Sequence, residues 1–555
     1  MAAPPRFEGV FSDRLVKSNL KPYMKTTIIP WWKRSIFYQI YLPSFCDSNG
    51  DGIGDIRGLL AKLDTLRGGK NALGIDAIWL SPFYPSGGAD GGYDVTDYES
   101  VDKQFGDLKD FDQLIQSCHD RGIKVIIDWV PNHTSDKHPW FLKSRQSKYN
   151  PYRDWYIWRN SKGNFSPPNN WISFFDSVGS AWTYDTNTKE YYLHSFSSHQ
   201  PDLNWENPSV RTEMYKQLRF WLNRGIDGIR IDSLPVLGKN PSLANNASPR
   251  DAWGENNIDW PSVHFYIREI KNVCDEFSRI VIVGEVNLPS FRQLNPYFVE
   301  GKLSLALNHA FTGISWNASS YKRILQSFHE NCGHSAWPAW YFNNHDCSRF
   351  VTRCDDNNGI GDERARAACV LLLTLACTPF IYQGEELGLR DVSIPQHLRF
   401  DVIGREASRT PYPWSSPLSV GEGVGFTDGR PWLSAGDEAY KKNWTDLIHN
   451  PSSLLTLYKS MISFRRKINA LSQGSMEIIS SSDDIMAYKR TFKTDCLLIL
   501  INFENHPCEF SHPALRIISR LITSSLNPFW DKSQFSSITL SPNEAVVLKI
   551  SNSRL

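Results

Sequence analysis

The chain carries almost no excess of either charge: 60 basic residues face 59 acidic ones, a net +1 over 555 residues. That balance excludes the basic face by which proteins hold nucleic acid or an anionic membrane surface. Long hydrophobic runs are missing as well. The longest, Ala367 to Tyr382, is interrupted by Pro379 and falls short of the roughly 20 residues a bilayer span requires. The opening stretch, MAAPPRFEGVFSDRLVKSNL, has no apolar segment of the secretory type, so no leader is expected and the chain reads as cytoplasmic. The ten cysteines are scattered, without a CxxC pair or metal-like spacing. Cys369 and Cys377 sit in apolar runs and read as buried free thiols. Whether Cys496 and Cys508 pair across a hairpin is open at this level.

What the chain does have is length, core material and rings. Hydrophobic residues make up 41% and charged residues 21%, the proportions of a folded chain with large cores. At this length two or three domains are expected. The 20 Trp, 22 Tyr and 30 Phe supply ring faces, which serve big cores and sugar-stacking clefts alike.

Residues 1–30 read as an N-terminal arm. Strands and helices then alternate. Strands are predicted around Ile36 to Tyr41, at Ala77 to Phe83 and at Lys124 to Val130, with a helical stretch from Phe105 to a glycine stop at Gly122. From Asn132 to His199 the periodicity fails among Trp, Tyr, Pro, Asn and Ser. That is too long for a connecting loop, so an inserted subdomain is predicted over 132–199. The helical PSVRTEMYKQLRFWLNRG leads to further strands at Gly228, at Ile280 to Val286, at AWYFNNHD and at CTPFIYQGEE. From about Leu471 short alternating strands take over. Parallel βα units followed by a run of strands predict an α/β architecture. It consists of a (β/α)8 TIM barrel over 31–131 and 200–468, interrupted after its third strand, and a C-terminal antiparallel β-sandwich over 469–555.

Two kinds of stretch carry chemistry on their face. DSNGDGIGD, Asp47 to Asp55, sets acidic and amide side chains at every second position around glycines, an oxygen cage for a hard cation. The expected ligands are Asp47, Asn49, Asp51, Asp55 and the Ile53 carbonyl, holding structural Ca²⁺ or Mg²⁺. Gly58 stands where an EF-hand would need a bidentate Glu. The second is DGIRIDSL, Asp227 to Leu234. Side chains alternate along a strand, so Ile229 and Ile231 face one way, Arg230 and Asp232 the other. A buried arginine and aspartate on one face are costly unless they pair or do chemistry. Asp128, Glu285 and Asp346 also stand at strand ends, with His133 and His345 beside two of them. A β/α barrel assembles its active site at that rim. Several carboxylates around one cleft suit glycoside hydrolysis. One attacks the anomeric carbon, one of raised pKa protonates the leaving oxygen, and the set stabilises the oxocarbenium-like transition state.

DWVPNH (Asp128 to His133), GIRID (Gly228 to Asp232), GEV (Gly284 to Val286) and NNHD (Asn343 to Asp346) resemble, in order and spacing, the four signature regions of the α-amylase superfamily, glycoside hydrolase family 13. QPDLN (Gln200 to Asn204) is similar to its fifth region, and GGYDVTDY, PPNNW, YQGEELGL and SRTPYPW point to its α-glucosidase, maltase and sucrose-hydrolysing branch. The resemblance implies Asp232 as nucleophile, Glu285 as general acid and then base, and Asp346 as the grip on the sugar 2- and 3-hydroxyls. It implies Arg230 keeping Asp232 ionised, His133 and His345 bonding the glucose, and Tyr93 stacking on it. Asp90 and Arg409 match positions that close the non-reducing end of an exo-acting, one-glucose pocket. The cation loop matches the family's metal site. The implied substrates are small α-glucosides such as maltose, sucrose and short oligosaccharides.

Two departures bear on linkage. Ser233 follows the nucleophile where maltose-type relatives have Ala and isomaltose-type relatives Val, and the stretch through SLANNASPRDAWGENN is short. A small residue at 233 leans towards α-1,4 bonds or sucrose. A glucosyl transferase or isomerase on the same scaffold, of the sucrose isomerase or trehalose synthase type, is the alternative. CSRF follows NNHD where sucrose isomerases carry an arginine cluster, which favours hydrolysis. A third reading is a non-catalytic heavy chain of an amino-acid transporter, similar around PPNNW and QPDLN. It would carry a membrane anchor and often lose a catalytic residue, whereas Arg230, Asp232, Glu285 and Asp346 are all present.

Overall fold

Eight short parallel strands build the centre of the protein: β1 (Phe37–Ile40), β2 (Ala77–Leu80), β3 (Lys124–Trp129), β4 (Gly228–Ile231), β5 (Val281–Glu285), β6 (Leu305–Leu307), β7 (Ala339–Trp340) and β8 (Thr378–Tyr382). The structure, a computed structural model, describes residues 29–551 apart from 164–165, 176–177, 249–252, 334–335, 357–358, 400, 402, 480–481, 514 and 527–535. The arm expected over 1–30 lies almost wholly outside the described residues. The strands pair in the order β7-β8-β1-β2-β3-β4-β5-β6, and β6 touches β7 where the ring comes round. Every ladder between them is parallel. This is the expected (β/α)8 barrel.

Strands buried on both faces explain the near-continuous apolar runs in the sequence. Phe37, Trp79, Ile126, Val281, Val283 and Phe380 fill the barrel interior. Their chain neighbours Tyr38, Ile78, Ile127, Ile229 and Ile231 face outwards into the layer packed by the helices. A Cβ at Gly228 would meet Val281 Cγ1 at 2.2 Å, so β4 can enter that interior only on a glycine. The helix Leu108–Asp120 starts at a capping box between Asp107 and Asp110. Asn207 caps Pro208–Asn223, whose proline sits in the first turn, where its missing N–H costs nothing.

Between β3 and β4 stands a three-stranded antiparallel sheet of Trp158–Arg159, Glu190–Leu193 and Trp182–Asp185, with a small core around Trp171 and Trp182. At the C-terminus a five-stranded antiparallel sheet and the pair Cys508–Ser511 with Ser537–Leu540 enclose a separate core. Arg490, on strand Ile485–Phe492, is fully buried and donates to the carbonyls of Thr374, Leu471 and Gly474, joining this sheet to the barrel helix Gly361–Thr374. All ten cysteines, Cys496 and Cys508 included, are free thiols. Among the described residues no helix is long and apolar enough to cross a membrane.

The candidate active site

Register assembles the acids. β3 and β4 pair Asp128 with Arg230, and β4 and β5 pair Ile231 with Gly284, so Asp232 and Glu285 emerge side by side at the C-terminal rim. Arg230 is the hub. Its Nη1 donates to Asp128 at 2.6 Å and to Asp232 at 2.7 Å; its Nη2 donates to Glu285 at 2.7 Å. Ser233 adopts a left-handed backbone (φ 44°), which turns its N–H onto the same Glu285 oxygen at 2.8 Å. A serine in that region is strained, and here the strain aims a donor at a carboxylate. His309 stands 3.7 Å from the other Glu285 oxygen.

A second chain of bonds crosses the rim from β1. Burial holds the His345 imidazole down to about 3, so it is neutral. The Gln39 amide bonds its Nδ1 at 2.6 Å, which leaves Nε2–H for the Tyr93 hydroxyl at 2.6 Å. Tyr93 in turn donates to Asp128 at 2.9 Å. Its ring lies against His345, with centroids 5.4 Å apart and planes 9° apart. His133, pushed down to about 4 by burial, bonds Gln200, which also donates to Asp90 at 2.8 Å.

Asp346 lies beyond β7, in a turn and not at a strand end. β7 stops at Trp340 because Asn343 and Asn344 turn their side chains onto the local backbone of Phe350 and Asp346, which competes with a ladder. Arg405 and Arg409 donate to Asp346 at 2.8 and 3.0 Å. The cation on Asp90 is Arg405, which also holds Asp401. Arg409 instead donates to the His345 carbonyl at 2.7 Å.

Charge is unevenly shared. Burial pushes Asp232 well above the usual carboxylate range and Asp128 up to about 6, against the pull of Arg230. Burial also works against Glu285, but Arg230 and His309 outweigh it and hold that carboxyl at about 2. Burial alone would raise Asp346; Arg405 and Arg409 hold it well below its ordinary value. Three carboxylates on one guanidinium titrate as a set, and their protons belong to the cluster.

These groups open into one cavity of about 680 Å³. Asp90, Tyr93, His133, Asp232, Glu285 and Asp346 all line it, whereas Arg230, His345 and Arg409 stand behind its wall. Residues 39–474 match the family model for the α-amylase catalytic domain. The chain belongs to the α-amylase family of glycoside hydrolases. It is 36% identical over 567 residues to an oligo-1,6-glucosidase of Parageobacillus thermoglucosidasius, covering 94% of this chain and 99% of that one. Identity to an α-glucosidase of Schizosaccharomyces pombe is 34%, over 94% and 98% of the two chains. Among solved structures, a trehalulose synthase mutant superposes with a TM-score of 0.87 at 34% identity, covering 94% of this chain and all of that one. The isomaltulose synthase of Erwinia rhapontici NX5 does so with 0.87 at 32%, over 95% and 100%.

Within this α-amylase family member, motif reading passed over Arg405, Asp401, Gln39 and the aromatic wall of the cavity. Arg405 lies four residues before Arg409 in GREASRTPYPW, and nothing local distinguishes the two. The wall runs from His133 through Phe196 and Phe174 to Trp253, with successive centroids 5.2, 5.4 and 5.0 Å apart. Its members come from separate loops, so no spacing announces it.

The Asp47–Asp55 loop lies apart from these acids, before the helix Ile56–Leu66. Asp47 accepts from the N–H groups of Asn49, Gly50 and Gly52 and from the Thr427 hydroxyl. Asp55 accepts from Ser48 and caps the helix through Gly58 N–H. Asn49 and Asp51 each take one backbone N–H, from Asp51 and Ile53. Hard oxygen donors of the type a divalent cation takes are present, and Asn49 and Asp51 keep lone pairs to offer it. Among the described residues no three His, Cys, Asp or Glu side chains converge as a cage.

Proposed function

We propose that the protein is a retaining, exo-acting α-glucosidase that releases terminal glucose from small α-glucosides such as maltose, sucrose and short oligosaccharides. The observation that carries this reading is the joining of Asp232 and Glu285 by one guanidinium, inside a cavity whose other end holds the Asp90–Arg405 pair. Retaining enzymes keep their two carboxyls close, roughly 5 Å apart, so that one attacks while the other handles the proton. Asp232 attacks the anomeric carbon and forms a glucosyl ester as the glycosidic bond breaks. Glu285 delivers a proton to the departing oxygen, then takes one from the water that opens the ester. Asp346, held ionised, grips the ring hydroxyls, and neutral His133 serves as a hydrogen-bonding group, while His345, behind the wall, holds Tyr93 in place. In the free site burial favours the proton on Asp232 and Arg230 favours a charge on Glu285, the reverse of what the first step needs. The proton belongs to the cluster, and a glycosidic oxygen seated against Glu285, able only to accept a hydrogen bond, favours the protonated form of that carboxyl. The Asp47–Asp55 loop, with Asp47, Asn49, Asp51, Asp55 and the Ile53 carbonyl, would hold a structural Ca²⁺ or Mg²⁺ away from the reaction.

A second reading, a glucosyl transferase or isomerase, has support from the superposition on trehalulose and isomaltulose synthases. Both readings share the intermediate and differ in what resolves it. Product analysis with sucrose, maltose and isomaltose separates them: free glucose supports hydrolysis, a new disaccharide the alternative. Asp232→Asn and Glu285→Gln should each remove many powers of ten of turnover. Near-normal turnover in either variant would sink the assigned roles.

A further inference from the structure

One buried carboxylate near the active site has no part in the chemistry above. Glu385 follows β8 and stands outside the reaction cavity, beside a smaller void that Asn343, Arg349, Phe350 and Tyr458 also line. Its two hydrogen-bond donors are neutral. The Asn343 amide donates to one oxygen at 2.5 Å, and the Tyr458 hydroxyl, from helix Leu454–Lys467, donates to the other at 2.7 Å. A buried carboxylate with neutral partners is costly, and burial is what raises Glu385 to about 7. Glutamine could accept from Asn343 only by turning its NH2 towards Tyr458, whose hydroxyl would then have to accept instead of donate. In its ionised form, reached above about pH 7, the carboxylate adds strength, since a charge-assisted hydrogen bond is about twice as strong as a neutral one.

The strength is directed at one turn. The carbonyl end of the Asn343 amide accepts the N–H of Phe350, so Asn343 ties together the two ends of residues 343–350. That turn carries His345 and Asp346. β7 has already ended at Trp340, so side-chain bonds hold the turn in place of a ladder. On its far side, Arg405 and Arg409 hold Asp346; on its near side, Asn343 is held by Glu385.

We propose that Glu385 is a positioning residue. Its carboxylate fixes Asn343, and Asn343 fixes the turn that aims Asp346 at the sugar. This rests on the α-glucosidase reading, in which Asp346 grips the distorted ring more tightly than the relaxed substrate. A loosened Asp346 therefore lowers kcat and leaves KM nearly untouched.

The test uses the full chain and an activated aryl α-glucoside, with kcat, KM and Tm measured for wild type, Glu385→Gln, Asp346→Asn and the double variant. Glu385→Gln should lose about tenfold in kcat, the scale of a weakened charge-assisted bond, with KM within about twofold. In the Asp346→Asn background the same change should cost less than about twofold, because the residue it acts through is already disabled. Two results overturn the proposal: a lowered Tm with kcat intact, or the full loss persisting in the Asp346→Asn background. If Glu385→Gln does not fold, Tyr458→Phe takes its place. Removing that donor should lower kcat by about two- to threefold, and only when Asp346 is present; an unchanged kcat overturns the proposal. An inactive wild type would sink the α-glucosidase reading itself. An active wild type matched by Glu385→Gln sinks only this one.

Discussion

Replacing Arg230 by methionine keeps the stem and deletes the charge. The wild-type guanidinium is 2% exposed and serves three carboxylates, at 2.6, 2.7 and 2.7 Å. Removing one partner of a buried ion pair costs about 3–5 kcal/mol, because the charge left behind is uncompensated. Three carboxylates would not triple that cost, since they can take up protons instead. The loss at pH 7.5 should therefore be about 3–5 kcal/mol, and its sign with pH follows. Without the cation, Asp128 and Asp232, which burial already raises, rise further, and Glu285 rises from about 2 to above its unfolded value near ~4. A carboxyl of raised folded pKa costs nothing below its unfolded pKa and destabilises increasingly as pH climbs through its folded value. The deficit is thus largest at pH 7.5 and shrinks towards pH 4.5. Calorimetry on both proteins at the two pH values reads it directly. At roughly 1–2 °C per kcal/mol, scaling down the shift of smaller domains, the variant should melt about 3–10 °C lower at pH 7.5 and by less than half of that at pH 4.5. Turnover should fall by several powers of ten, because Asp232 loses the group that favours its charge. A deficit as large at pH 4.5 as at pH 7.5, or a kcat within tenfold of wild type, refutes the reasoning.

Arg405→Leu should lower kcat/KM on maltose by about 10²–10³-fold, the equivalent of one broken buried pair, since it strips Asp90 of its cation and leaves Asp346 and Asp401 with Arg409 alone. A loss under fivefold would contradict the pocket-closing part given to Arg405. Treatment with a chelator should lower Tm and leave the chemical step of the folded enzyme nearly unchanged, with Ca²⁺ restoring it; a Tm indifferent to both removes the cation from the Asp47–Asp55 loop. Arg490→Met strips hydrogen bonds from three buried carbonyls, at about 1–3 kcal/mol for each group left unsatisfied. Its Tm should drop by several degrees while kcat at 25 °C stays at the wild-type level, and a variant that melts with the wild type would deny Arg490 a part in joining the two domains.

Legibility in the sequence tracked how local each signal was. β2, β5 and β8 announce themselves as apolar runs, and β1, β3 and β4 as apolar residues around a single buried polar or charged one, Gln39, Asp128 and Arg230. β6, Leu305–Leu307, escaped notice because three residues show no period, and only the strands flanking it make it a strand. AWYFNNHD reads as one run, which predicts Asp346 at a strand end. In the structure the run breaks after Trp340, where two asparagines prefer their own turn to a ladder. Asp90, Asp232, Glu285 and Asp346 are legible because each sits in or beside a motif, whereas Asp401, also on the cavity wall, sits in none. Arg405 and Gln39 are not, since the contacts that give them meaning, Arg405 with Asp90 and Gln39 with His345, join residues hundreds of positions apart.

The sequence by itself determined the barrel with its inserted subdomain and sandwich, the family, and the identity of the acids at the rim. These follow from periodicities and motifs a few residues long. Tertiary structure decided how the acids share charge. That Arg230 serves three carboxylates, that Arg405 rather than Arg409 meets Asp90, and that Ser233 turns its N–H onto Glu285 are outcomes of register and loop packing. Electrostatic energy depends on distance and burial, and neither is written along the chain.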